Sequence, residues 1–110
     1  MSTVLPQAAL AALDAVVLDC ETTGLDARTA RIIQLGAVRL DKGKLDASSV
    51  FDQLVDPGMP IPPKTTAIHG LSDDAVRDQP KFELVGERLL EFVGKRPIIG
   101  SKPIDGGYFI

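Results

Sequence analysis

VVLDCETTGL, residues 16–25, joins three apolar residues of buried-strand character to two acids set one residue apart. Side chains of a strand alternate between faces, so Asp19 and Glu21 project together and Cys20 points the other way. Two carboxylates side by side at the end of an apolar strand repel each other and lose hydration. A divalent cation that takes hard oxygen ligands is the natural compensation. A bare D-x-E also serves as a solvated strand end or as a cap for the next turn. The Thr22-Thr23-Gly24 break that follows favours a ligand, because two hydroxyls and a glycine suit a backbone that is approached closely.

The chain has 110 residues, enough for one domain with a real core. Its composition, 45% hydrophobic and 25% charged, is that of an ordinary globular protein. No apolar run reaches bilayer-spanning length, so no membrane partner is expected. Residues 1–15 lack a basic leading segment and carry Pro6, which speaks against a secretory signal. The single cysteine, Cys20, excludes an internal disulfide and a multi-cysteine zinc site. These features make the compartment cytoplasmic by expectation. A net charge of −3 argues against a broad basic face that grips nucleic acid. It leaves room for an enzyme that holds a phosphodiester through bound metals, which supply the positive charge.

Taken in order, residues 1–14 form a prefix with a short Ala/Leu-rich helix over 5–13, Pro6 lying in its first turn. Residues 15–110 make the domain proper. A first strand spans 15–20, and a long apolar second strand spans 31–40. Asp41-Lys42-Gly43-Lys44 has turn chemistry, and a third strand follows at 48–55. Short connections make these three an antiparallel meander. Residues 56–64 hold four of the eight prolines and are expected to be an extended, stiffened loop. Ser72 suits an N-cap for a short helix over 73–77. Phe82, Val85, Leu89, Phe92 and Val93 fall at helical spacing within 80–94. A fourth strand at 97–100 and the opening of a helix at 104–110 complete the pattern.

A strand, a helix and a further strand imply a crossover, which sets the fourth strand parallel to the first. The fold class is therefore α/β, a mixed sheet of a three-stranded antiparallel meander plus a parallel fourth strand, with flanking helices. Ligands of open α/β sheets sit beyond the carboxyl ends of parallel strands. Asp105, just past the fourth strand, is thus a third candidate metal ligand beside Asp19 and Glu21.

At this point the residues resemble a known family. VVLDCETTGL, RIIQLGAVRL and LVDPGMPIPPKTTAIHGLSDDAV together are similar to the DEDDh 3′-to-5′ exonucleases, relatives of ribonuclease T and of the proofreading epsilon subunit of DNA polymerase III. The likeness covers residues 15–94 and implies a ribonuclease H-like fold. It implies that Asp19 and Glu21 are catalytic metal ligands for two ions, Mg²⁺ or Mn²⁺. Thr22, Thr23, Gly24 and Leu25 match the part of the motif that lines the terminal nucleotide. His69 matches a histidine that faces substrate, although a lone histidine in a loop is otherwise a capping or packing residue. The implied partner is the 3′ end of single-stranded DNA or RNA, with a polymerase or fused domain as a further partner.

The second family motif departs from pattern. Ile99 and Gly100 match, Ser101-Lys102-Pro103 replaces a His-Asn pair, and the acid arrives one residue early. With one residue deleted, Asp105 is the catalytic metal ligand and Tyr108 and Phe109 keep the aromatic spacing. Without the gap, Gly106 takes that position. The third motif, H-x-x-x-x-D, which supplies the general base and the last aspartate, is absent, and His69 is the only histidine. The expectation is an exonuclease domain whose C-terminal part is missing, through truncation, frameshift or decay of a paralogue, and which is incomplete or inactive. Two alternatives stand beside it. One is a non-catalytic interaction module of the same fold; the other is a haloacid-dehalogenase-like phosphotransferase, which also opens with an acid pair after a strand.

Overall fold

The computed structural model describes residues 12–24, 26 and 28–100, together with the backbone of 103–104 and 107–108. Three strands, β1 (Ala15–Thr22), β2 (Ile32–Asp41) and β3 (Lys44–Leu54), precede helices α1 (Pro63–His69), α2 (Asp73–Val76) and α3 (Phe82–Val93). Strand β4 (Ile98–Gly100) follows, and Pro103–Ile104 (β5) pairs with Gly107–Tyr108 (β6). The main sheet has the order β3-β2-β1-β4. Its first three strands are antiparallel and β4 runs parallel to β1, as the sequence pattern predicts.

Alternation explains which face is covered. Ile33, Leu35 and Ala37 of β2 are buried, at two-residue spacing. They meet Val16 and Val55, and they meet Val85 and Val93 on the inner stripe of α3. Burying each of Leu35, Val55 and Val85 removes about 1.5–3 kcal/mol of apolar surface energy from water. Ile61 and Val76 extend this core over Ile33, with Leu71 packed against them. Arg39, on the same face, donates from Nε and Nη2 to the Phe92 carbonyl at 3.3 and 2.9 Å and lies 4.6 Å from the Phe92 ring centre. A carbonyl at the end of α3 that has no partner in its own helix is satisfied from the sheet.

Before β4, two elements differ from expectation. Helix α1 begins at Pro63, inside the stretch expected to stay extended. Proline costs nothing at a first helical position, where its missing N–H would have no partner and its φ is already helical. Strand β3 begins at Lys44, not at residue 48, directly after a tight turn in which Lys42 and Gly43 have φ of 50° and 78°. Between the pairs Val38–Val50 and Arg39–Asp46, β3 carries three extra residues, 47–49. The Asp46 carboxylate holds this bulge, accepting from Ser48 N–H at 3.0 Å and from the Ser48 and Ser49 hydroxyls at 2.6 and 2.8 Å.

Within 104–110, where a helix opening is expected, Ile104 and Gly107–Tyr108 lie in the β5–β6 ladder. Gly107 has poor helix propensity. The other residues of that segment, and the helical prefix up to residue 11, lie outside the described residues. Among the described residues no helix is long and apolar enough to cross a membrane.

Candidate active site

Among the described residues no helix packs on the face of the sheet that carries the acid pair. Val17, Asp19 and Glu21 of β1 stand opposite Val38, Gly36 and Gln34 of β2. Those in turn face Val50, Asp52 and Leu54 of β3. An open groove of about 460 Å³ runs over this face, with Asp19, Glu21, Gln34, Gly36, Val50 and Asp52 in its lining. A volume of that size lies in the range of small-ligand sites. Cys20 packs on the other side of the sheet, near Leu35, Val55 and Val85, as alternation requires.

Gly36 forms the floor beside Asp19. A Cβ built there would meet the Asp19 carbonyl oxygen at 3.9 Å, an ordinary contact. The backbone therefore does not demand glycine here, and what its absent side chain provides is space next to the carboxylate. Across that space Gln34 donates from Nε2 to Asp52 Oδ1 at 3.1 Å. A carboxylate only accepts, so this contact fixes which end of the Gln34 amide faces β3.

Beyond the acids, the β1–β2 register shifts between Glu21 and Thr22. Thr22 donates from its hydroxyl to the Gly24 carbonyl at 2.7 Å. Thr23 is 2% exposed. Its N–H donates to the Arg31 carbonyl at 2.9 Å. Its hydroxyl accepts from Arg31 N–H at 3.0 Å and donates to Met59 Sδ at 3.7 Å. Thr23 thus pinches the loop shut at its base and ties it to the proline-rich segment. A Cβ at Gly24 would meet nothing within 4 Å, so the backbone there is open to approach. Asp26 accepts from Arg28 N–H at 3.0 Å and pairs with its guanidinium, which holds the Asp26 carboxyl below the usual range.

His69 is the last residue of α1, and Gly70 follows in the left-handed conformation. Its Nδ1 accepts from Leu71 N–H at 3.0 Å, so the neutral ring carries its proton on Nε2. That Nε2 is buried with no hydrogen-bond partner among the described residues. Asp73 fixes the same region by accepting from Ile61 N–H at 2.8 Å.

The structure thus places Asp19 and Glu21 together on the groove, Thr22 at the end of β1, Thr23 and Gly24 in the loop after it, and His69 at the end of α1. Leu25 and Asp105 lie outside the described residues. Strand β4 ends at Gly100 beside Leu18, one residue before Asp19. Among the described residues no group of three His, Cys, Asp or Glu is gathered as a metal centre. The Asp19–Glu21 pair on the groove offers two carboxylates, hard oxygen ligands that fit Mg²⁺ or Mn²⁺. Gln34, Gly36 and Asp52 are site residues that the sequence pattern did not single out.

Comparison with known proteins follows the same line. The RNase T family profile, described as Exonuclease, matches residues 16–107. A DNA polymerase III subunit epsilon-like protein of Rhodobacter capsulatus is 42% identical over 92 residues, which cover 82% of this chain and 13% of that protein. The DNA polymerase III subunit epsilon of Pasteurella multocida is 30% identical over 99 residues, covering 84% of this chain and 39% of that protein. The chain therefore spans less than half the length of either relative. The nuclease domain of 3′hExo, a DEDDh family member bound to rAMP, superposes with a TM-score of 0.63 at 19% identity, over 79% of this chain and 50% of that one. At that identity the likeness shows the fold, a ribonuclease H-like mixed sheet. With a family match over residues 16–107 and a polymerase-subunit relative 42% identical over 82% of it, this chain belongs to the RNase T exonuclease family.

Proposed function

We propose that this chain carries part of a 3′-to-5′ exonuclease site that hydrolyses the terminal phosphodiester of a single strand, DNA or RNA, by a two-metal route. The observation that carries this is the placement of Asp19 and Glu21 on one side of β1, facing a groove whose floor at Gly36 has no side chain. When bound, divalent ions supply Lewis acidity to the phosphate and lower the pKa of a water nucleophile. Asp19 and Glu21 would hold them, with Asp105 as the proposed third carboxylate. Thr22, Gly24 and Leu25 would line the terminal nucleotide. Thr23, whose hydroxyl is engaged with Arg31 and Met59, would act by fixing that loop in place. Among the described residues the buried Nε2–H of His69 is a donor without an acceptor, which suits a residue that faces a ligand oxygen.

No histidine other than His69 occurs in the 110 residues, and His69 is committed through Nδ1 to Leu71. We therefore expect metal binding to be strong relative to turnover, because a general base contributes about 10²–10⁴-fold. A polymerase or a further domain in the same polypeptide would be the partner, and the cytoplasm the compartment. The antiparallel β1–β2 pairing and the family match set aside the phosphotransferase alternative.

Titration calorimetry with Mn²⁺ tests the proposal. Heat of binding by the wild type, lost in Asp19→Ala and Glu21→Ala, supports it. Absence of heat in the wild type refutes it in favour of a non-catalytic module of the same fold. Rapid metal-dependent shortening of a 5′-labelled strand by this chain would overturn the expectation of weak turnover.

A further inference from the structure

We infer that Gln34, held by Asp52, is a positioning residue for the Asp19–Glu21 pair; this rests on the metal-site proposal above. Gln34 is directly opposite Glu21 in the β1–β2 register. Directly opposed residues on one face of an antiparallel pair have Cβ atoms about 4.5–5.5 Å apart, so the Gln34 stem starts beside Glu21 even though its amide leans toward β3. The far end of Gln34 is anchored by its Nε2 to Asp52 Oδ1 at 3.1 Å. That bond reaches past Gly36, which lies between Asp19 and Asp52 in the cross-strand row and offers no side chain of its own. All of these residues line the same groove.

The physical consequence is preorganisation. A glutamine loose at its tip samples several rotamers beside the glutamate. Pinned at its tip, it forms a fixed wall along the β2 side of Glu21. The ordering of Glu21 is then partly complete before a cation arrives, and ordering a long side chain is a recognised cost of binding. The amide is neutral, so the wall adds no third charge beside the acid pair. Asp52, for its part, is held by the same bond on the β3 side of the groove. Its role is to accept a hydrogen bond, which a neutral acceptor can also do.

Calorimetry with Mn²⁺ on the full 110-residue chain separates the possibilities, with unfolding midpoints measured alongside. Gln34→Ala and Gln34→Leu are expected to weaken Mn²⁺ binding about tenfold, the low end for residues that orient metal ligands, with midpoints close to wild type. Asp52→Ala is expected to match them, and the double variant Gln34→Ala/Asp52→Ala to be no worse than either alone. Asp52→Asn, which keeps an acceptor oxygen without the charge, is expected to restore wild-type affinity. Unchanged affinity in both Gln34 variants overturns the inference while leaving the metal site standing. Equal loss in Asp52→Asn and Asp52→Ala overturns it in favour of a purely electrostatic role for Asp52. A wild type that takes up no Mn²⁺ overturns the metal site and this inference together.

Discussion

Asp19 on β1 and Gly36 on β2 stand directly opposite each other on the open face of the sheet, a carboxylate across from a residue with no side chain. Since a Cβ at Gly36 would find only an ordinary contact at 3.9 Å, replacing it separates stability from binding. Gly36→Ala is expected to stabilise the chain by about 0.5–1 kcal/mol, because glycine loses the most backbone freedom on folding. Gly36→Leu fills the groove floor and is expected to weaken Mn²⁺ binding severalfold. Urea unfolding and calorimetry on the two variants check both halves.

Thr23 is the buried clasp of the loop that follows the acids. Thr23→Ala removes the acceptor for Arg31 N–H and the link to Met59, and is expected to cost about 1–2 kcal/mol. Thr23→Ser keeps the hydroxyl and should recover most of that loss. Amide exchange at Arg31 is the local readout, rising in the alanine variant and staying near wild type in the serine variant.

Much of this was legible in the sequence, for reasons that also explain what was not. Two-residue alternation in β1 placed Asp19 and Glu21 on one face and Cys20 on the other without any knowledge of pairing. Helical spacing from Phe82 to Val93 found α3, and the apolar Ile98–Gly100 found its parallel partner for β1. The row Asp19–Gly36–Asp52 was not legible, because it depends on register. Counting back from the Asp41–Lys44 pair without a bulge would set Gly36 opposite Ser49; the three extra residues of β3 put Asp52 there instead. Helix α1 was hidden because a proline-rich run reads as loop, although Pro63 occupies the one helical position where proline is favoured. Thr23 shows a different limit. A hydroxyl after an acid pair reads as ligand-facing, and only the closure of the loop onto Arg31 reveals that it is already engaged.

Arg39 joins the middle of the sheet to the end of α3. Arg39→Met keeps the stem but loses both bonds to the Phe92 carbonyl and the contact with its ring, for an expected cost of about 1–3 kcal/mol. Arg39→Lys should recover only part of it, since an ammonium cannot reproduce the guanidinium fork. Denaturant midpoints of the three proteins order them wild type, lysine, methionine.

The Lys81 ammonium, and after it the Gly58 N–H, hold the Asp56 carboxyl below the usual carboxylate range. Asp56 accepts from Lys81 Nζ at 2.7 Å and so fastens the end of the sheet to the start of α3. A folded-state pKa below the unfolded one means that the stabilisation is complete above about pH 4 and lost as pH falls through the lowered value. Asp56→Asn is therefore expected to melt below wild type at pH 7 and to converge with it in acid. A gap that stays constant from neutral to strongly acidic pH would refute the assignment.

The bulge at 47–49 has a consequence for the margin of the sheet. Strand β3 is an outer strand, and it exposes Leu45 and Val50 at 64% and 57%, the kind of apolar border on which a foreign strand could template itself. Such templating needs a straight run of donors and acceptors. Here three surplus residues kink the border, and Asp46 draws the Ser48 N–H and both serine hydroxyls onto a fixed negative charge. The crookedness of β3 thus serves as a guard against strand-by-strand aggregation along its outer border.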